Sequence, residues 1–171
     1  MWQFRGQERP SIAAEPEPGQ ESVWDYPRPP ALVPDARHVL VRHGKLILAD
    51  STQTIRVLET ASPPTFYIPP GDVMRDLLVQ SSHGSFCEWK GRACYWSLGA
   101  DGAAFKDVGW SYPEPSPAFA AIAGFFSFYP GRVECYVDGE RVQPQPGGFY
   151  GGWVTSDVAG PFKGEPGTGH W

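Results

Sequence analysis

Glycine and proline break this chain into pieces too short for long helices. There are 20 Gly and 19 Pro among 171 residues, without the every-third-residue spacing of collagen. They gather at the two ends and in turns, the arrangement expected of many short strands. The length fits one domain with some extension, enough to bury a core without covalent staples.

Between the breaks the pattern is that of strands. HVLVRHGKLILADS reads as strand, turn at His43–Lys45, strand. TIRVLET places Ile55, Val57 and Glu59 on one face and Arg56 and Leu58 on the other; SPP stops it, and TFYI follows as a short strand. SFCEW and ACYWSL form a hairpin around Lys90-Gly91, where glycine accommodates positive φ. AAFKDVGWSY is a further strand ended by Pro113, FFSFY another, and RVECYVDGERV a hairpin on an Asp-Gly turn. Two short helices are expected. One lies in PPGDVMRDLL, with Asp72 in its first turn and Val73, Met74, Leu77 and Leu78 at helical spacing; the other is PAFAAIA, ended by Gly124. The fold class is mainly β (α+β by strict count), with antiparallel sheets and these two helices.

Composition divides the chain. Residues 1–22, rich in Glu, Pro and Gln, read as a disordered or loosely attached arm. Residues 23–36 form a Pro-rich extended segment, pinned through Trp24 and Tyr26. Residues 37–140 are the β domain, and 141–171 a Gly- and aromatic-rich tail packed on it. A net charge of −5 argues against a nucleic-acid partner held by phosphate neutralisation. No apolar run approaches a membrane span, and the start lacks a signal core, so no membrane and a cytoplasmic location are expected. Three cysteines, an odd number, suit free thiols.

The chemistry-bearing residues cluster in HGSFCEWKGRACYW. Cys87 and Cys94 have six residues between them, with parity that allows them to face each other across the hairpin; Cys135 is alone. This is not the paired spacing of structural zinc, and no metal site is assigned. Cys87 as a nucleophile would need a neighbour such as His83 or Lys90 to form its thiolate. Glu59 lies beside Pro63-Pro64 and Phe66-Tyr67, where apolar surroundings suit an acid or base. Glu59, Cys87 and Lys90 are therefore the catalytic candidates. No Gly-rich phosphate loop precedes a helix, and the aspartates are isolated. What remains is aromatic. Tyr67, Trp89, Tyr95, Trp110 and Tyr112, with Arg56, Glu59 and Lys90 at the rim, are expected to line a cleft for a small ligand. Flat rings suit planar ligands. No cofactor is identified.

RVLET, SPP, TFYIPPGDV, FCEWKGRACYWSL and GWSYPEPSPAFAAIAGFFSFYPGRVECYVDG, in that order, resemble the DUF427 family of bacterial proteins over about residues 37–140. The flanking WDYPRPP and GPFKG segments resemble its longer, actinobacterial-type members. The resemblance implies a β-tent, two antiparallel sheets splayed over a cleft, with Cys87, Lys90 and Tyr95 lining it. Around the hairpin, Ser85 stands where the family pattern has Thr and Glu88 where it has Pro; Cys87, Trp89, Lys90, Gly91, Ala93, Tyr95 and Trp96 fit. The family's function is unknown; a nucleotidyltransferase-like label attaches to it, but the paired acids such chemistry needs are absent from the pattern here. Three readings stand: a small-molecule-binding module, an enzyme using Glu59, Cys87 or Lys90 in the same cleft, or a protein-interaction scaffold.

Overall fold

Alternation at Phe66-Tyr67-Ile68 decides the architecture, because the two faces of this stretch belong to different interiors. The computed structural model describes residues 2–99 and 105–171. Its strands are β1 (Glu21–Ser22), β2 (Ala31–Asp35), β3 (Val39–His43), β4 (Leu46–Ser51), β5 (Thr54–Leu58), β6 (Thr65–Tyr67), β7 (Leu78–Cys87), β8 (Gly91–Leu98), β9 (Gly109–Ser111), β10 (Phe126–Phe128), β11 (Glu134–Val137), β12 (Glu140–Arg141), β13 (Gln143–Pro144), β14 (Trp153–Val154) and β15 (Val158–Ala159). The fold is mainly β. Three antiparallel sheets dominate, in the orders β2-β5-β6, β10-β9-β8-β7 and β12-β11-β3-β4, with two short pairs, β13-β14 and the parallel β1-β15. The first two sheets meet at one seam, where Ile68 and Phe126 exchange backbone hydrogen bonds of 2.7 and 2.9 Å.

Phe66 and Ile68 face a dry core with Phe126, Phe128, Val39, Val41, Leu48 and Cys135, roofed by the β12-β11-β3-β4 sheet. Fully burying each such side chain contributes about 1.5–3 kcal/mol. Trp153 joins this core from the tail, stacking on Phe66 at 4.9 Å and donating its indole N–H to the Phe128 carbonyl at 2.9 Å. Tyr67 points the other way, into a second cluster with Val57, Ala93, Trp110, Tyr112, Phe119 and Ile122. Hairpins close where the sequence supplies turn residues: Asp138 and Gly139 take φ of 47° and 80° between β11 and β12, and Gly91 takes 103° at the start of β8.

Several expectations change. PPGDVMRDLL is not one helix but two 3-10 turns, Pro70–Asp72 and Arg75–Leu77. Val73 between them is buried and bridges Ala49, and Met74 donates its N–H to Leu48, so pairing with β4 overrides helical spacing. Pro117–Ile122 is also 3-10, with Phe119 off helical geometry. In the strand expected over AAFKDVGWSY, Ala103 and Ala104 lie outside the described residues, and β9 covers only Gly109–Ser111. Residues 2–22 run along the domain: Phe4 meets Trp24 edge-on at 5.2 Å, and Ala14 donates to Gly160 at 2.8 Å. The fully buried Trp24 gives this segment an apolar seat that composition does not reveal. Among the described residues no helix is long and apolar enough to cross a membrane.

Candidate functional site

Strand parity builds the site. On β8 and β9, Tyr95 pairs with Trp110, so both rings leave the sheet on one side, together with Ala93 and Tyr112. Val57 and Tyr67 leave the neighbouring sheet on the side that faces them. Between the two sheets lies a cleft of about 630 Å³. Of the residues singled out by sequence, Glu59, Tyr67, Cys87, Trp89, Lys90, Tyr95, Trp110 and Tyr112 line it. Arg56 does not. Parity sends it to the opposite face of β5, where it pairs with Glu21 at 2.7 Å and Asp35 at 3.2 Å.

Cys87 and Cys94 do not face each other. The register sets Cys87 opposite Gly91 and Cys94 opposite Gly84, so the two thiols lie on opposite faces of the hairpin. Cys87 shares the cleft face with Ser85, while Cys94 shares the far face with Phe86 and Trp96. Cys135 is sealed in the dry core, and burial pushes its thiol well above the ordinary cysteine value.

The floor of the cleft is a polar network on aromatic rings. The Trp110 indole donates to the Tyr67 hydroxyl at 3.1 Å. Burial raises the Tyr67 pKa, against the opposing pull of Lys90 and the Trp110 N–H. The phenol is thus neutral, with its own proton left to donate. Lys90 Nζ sits 5.6 Å from the Tyr112 ring centre. Burial pulls the Lys90 pKa down, yet Tyr67, Cys87 and Glu59 together outweigh it, and the net shift is upward. Lys90 is therefore a fixed cation, suited to holding an anion or a carbonyl oxygen rather than to supplying a neutral amine. The Trp89 indole N–H, in the same wall, has no acceptor among the described residues.

Two further groups, missed by sequence reasoning as a unit, complete the walls. His83 Nδ1 lies 3.0 Å from Asp107 Oδ2, and its ring stacks on Tyr95 at 4.2 Å. The Tyr95 hydroxyl in turn meets Ser85 Oγ at 2.7 Å. Arg28 is the second group's anchor: with its side chain fully buried, it binds Glu59 Oε2 at 3.1 Å and the carbonyls of Phe4 and Thr60 at 2.8 and 3.1 Å. Glu59, expected in apolar surroundings, is thus held by a guanidinium. Lys163, from the tail, is buried, and its Nζ faces rings, 4.1 Å from the centre of Trp2 and 5.5 Å from that of Tyr150. Burial, then Arg28, lowers the Lys163 pKa against Glu59 and Glu88. Arg28 and Lys163 come from Pro- and Gly-rich segments without strand periodicity, and Asp107 precedes β9 in a stretch read only as a strand.

The tail closes the cleft over Trp110. A Cβ on Gly151 would stand 2.3 Å from that ring, and one on Gly152 2.4 Å from Gln145 Oε1, so only glycine lets the backbone cross there. A family model described as a domain of unknown function (DUF427) matches residues 31–139. No curated protein matches the chain.

Proposed function

Because the chain belongs to this DUF427 family of unknown function, we propose on the strength of its cleft that it is a small-molecule-binding β domain. The observation that carries the reading is convergence. Tyr67, Tyr95, Trp110 and Tyr112 present rings to one 630 Å³ space in which Lys90 is a cation and Tyr67 a donor. That volume, rich in aromatic rings and set with convergent polar groups, suits a small ligand. The rings would hold a planar portion, and Lys90 with Tyr67 an electron-rich oxygen.

A second reading, catalysis, is supported by the presence of Glu59, Cys87 and Lys90 in the same cleft. One experiment separates the two. The purified protein is screened by thermal shift against nucleotides, flavins, common metabolites and divalent metals, and any hit is retested on Tyr67→Ala and Glu59→Gln. A ligand at 100 times its dissociation constant adds about 2.7 kcal/mol, a rise of several degrees. Loss of the hit with Tyr67→Ala alone supports binding. Turnover that falls with Glu59→Gln at unchanged affinity supports catalysis. Silence across the panel from a folded protein overturns both and leaves the scaffold reading.

A further inference from the structure

One ring in the cleft belongs to the amino-terminal arm. Trp2 is half-buried, lining the cleft beside Lys163 and Glu88 with Arg28 behind it. Arg28 Cζ lies 4.2 Å from its ring centre and Lys163 Nζ 4.1 Å. At the ring edge the indole N–H donates to Glu88 Oε1 at 3.1 Å. A π-system near two cations and a carboxylate at its N–H edge is the recognition pattern of a flat heteroaromatic ring.

Part of the pattern lies outside the arm. Arg28 is held by Glu59 and the Thr60 carbonyl from the domain, and by the Phe4 carbonyl from the arm. Lys163 is carried by the tail, where its N–H bonds to the Ala61 carbonyl at 2.8 Å and its own carbonyl accepts from Gln145 at 2.6 Å. The Arg28 guanidinium is thus held by contacts other than the indole, and the Lys163 main chain is anchored without it, with Tyr150 as a second ring facing its Nζ. Lys163, though buried, faces rings rather than a carboxylate.

We propose that this wall is a slot for a planar heteroaromatic ring bearing an N–H donor on its edge, and that Trp2 competes for it as a tethered surrogate. The proposal rests on the small-molecule reading of the cleft and narrows the class of ligand it takes. A tethered ring has a high local concentration, so it lowers the apparent affinity of any free ring for the same slot.

The test uses indole itself as the probe, on the full chain and on Trp2→Ala, with binding followed by calorimetry and by NMR shifts. Indole should bind Trp2→Ala at least about tenfold more tightly than the parent chain, as removal of a tethered competitor requires. N-methylindole, which cannot donate to Glu88, should bind that variant roughly threefold or more weakly than indole. Adding Lys163→Met to Trp2→Ala should abolish the gain. Melting curves establish that each variant is folded, and Trp2→Leu replaces Trp2→Ala if the latter is not. Equal indole affinity for parent and variant, or a gain indifferent to Lys163→Met, overturns the slot. If the panel yields a ligand lost with Tyr67→Ala while indole ignores Trp2→Ala, the slot falls and the cleft reading stands. If indole ignores Trp2→Ala and every panel compound fails on both proteins, the slot and the cleft reading fall together.

Discussion

The two faces of β6 bury aromatic rings equally well and for different ends. Phe66 and Tyr67 are each 1% exposed. On the Phe66 side the neighbours are aliphatic or phenyl apart from the Cys135 thiol, and the Trp153 indole is satisfied by a backbone carbonyl. On the Tyr67 side the rings carry hydroxyls and N–H groups that bond to each other, with a lysine among them. A core meant only to hold the fold gains nothing from that second arrangement, since each buried polar atom must find a partner or be paid for in desolvation. Polar handles on rings, more than burial, distinguish the cleft from the core.

Substitutions on the two sides should separate stability from binding. Phe128→Ala, in the dry core, should cost about 3–5 kcal/mol of unfolding free energy by denaturant titration. Ligand affinity of the folded fraction should hold; an affinity loss as large as that of a cleft variant would mean that the two faces are not independent. Tyr67→Phe keeps the ring and removes the acceptor for Trp110, so it should cost about 1–3 kcal/mol and weaken cleft binding as well. A change in stability without any change in binding would reassign Tyr67 to the core.

The smallest effect is in pH, and it pits the two cleft lysines against each other. Lys163 has a folded pKa below the ordinary 10.5, so its charge is a cost to folding that fades as pH rises through the folded value toward 10.5. Lys90 has a folded pKa above 10.5, so its contribution is fully present below 10.5 and is lost as pH climbs through the raised value. From neutral pH toward 10.5 the parent chain should therefore gain stability relative to Lys163→Met. A difference that stays flat over that range would show that Lys163 is not desolvated in solution.

Much of this was legible in the residues. Period-two alternation and the Asp138-Gly139 turn give the strands and hairpins, and the aromatic set on those strands gathers in one cleft. Parity alone already put Arg56 opposite Val57, which is why it sits in an ion pair with Glu21 and Asp35 and not in the cleft. The positions of Cys87 and Cys94 turned on a register that the turn fixes and composition does not. Helical spacing at Val73 and Leu77 lost to a bridge with Ala49, a tertiary preference that no local pattern carries. Trp2, Arg28 and Lys163 come together across sequence separations that periodicity does not span.

The glycines that cross Trp110 tie the cleft to the core. Residues 31–139 carry the family match, but Gly151, Gly152 and Lys163 supply a wall of the cleft and follow that segment in the chain. Trp153, next to those glycines, stacks on Phe66 and bonds to the Phe128 carbonyl. The segment that walls the cleft is thus anchored in the apolar core, and a variant cut after residue 139 would lose a core ring together with the wall.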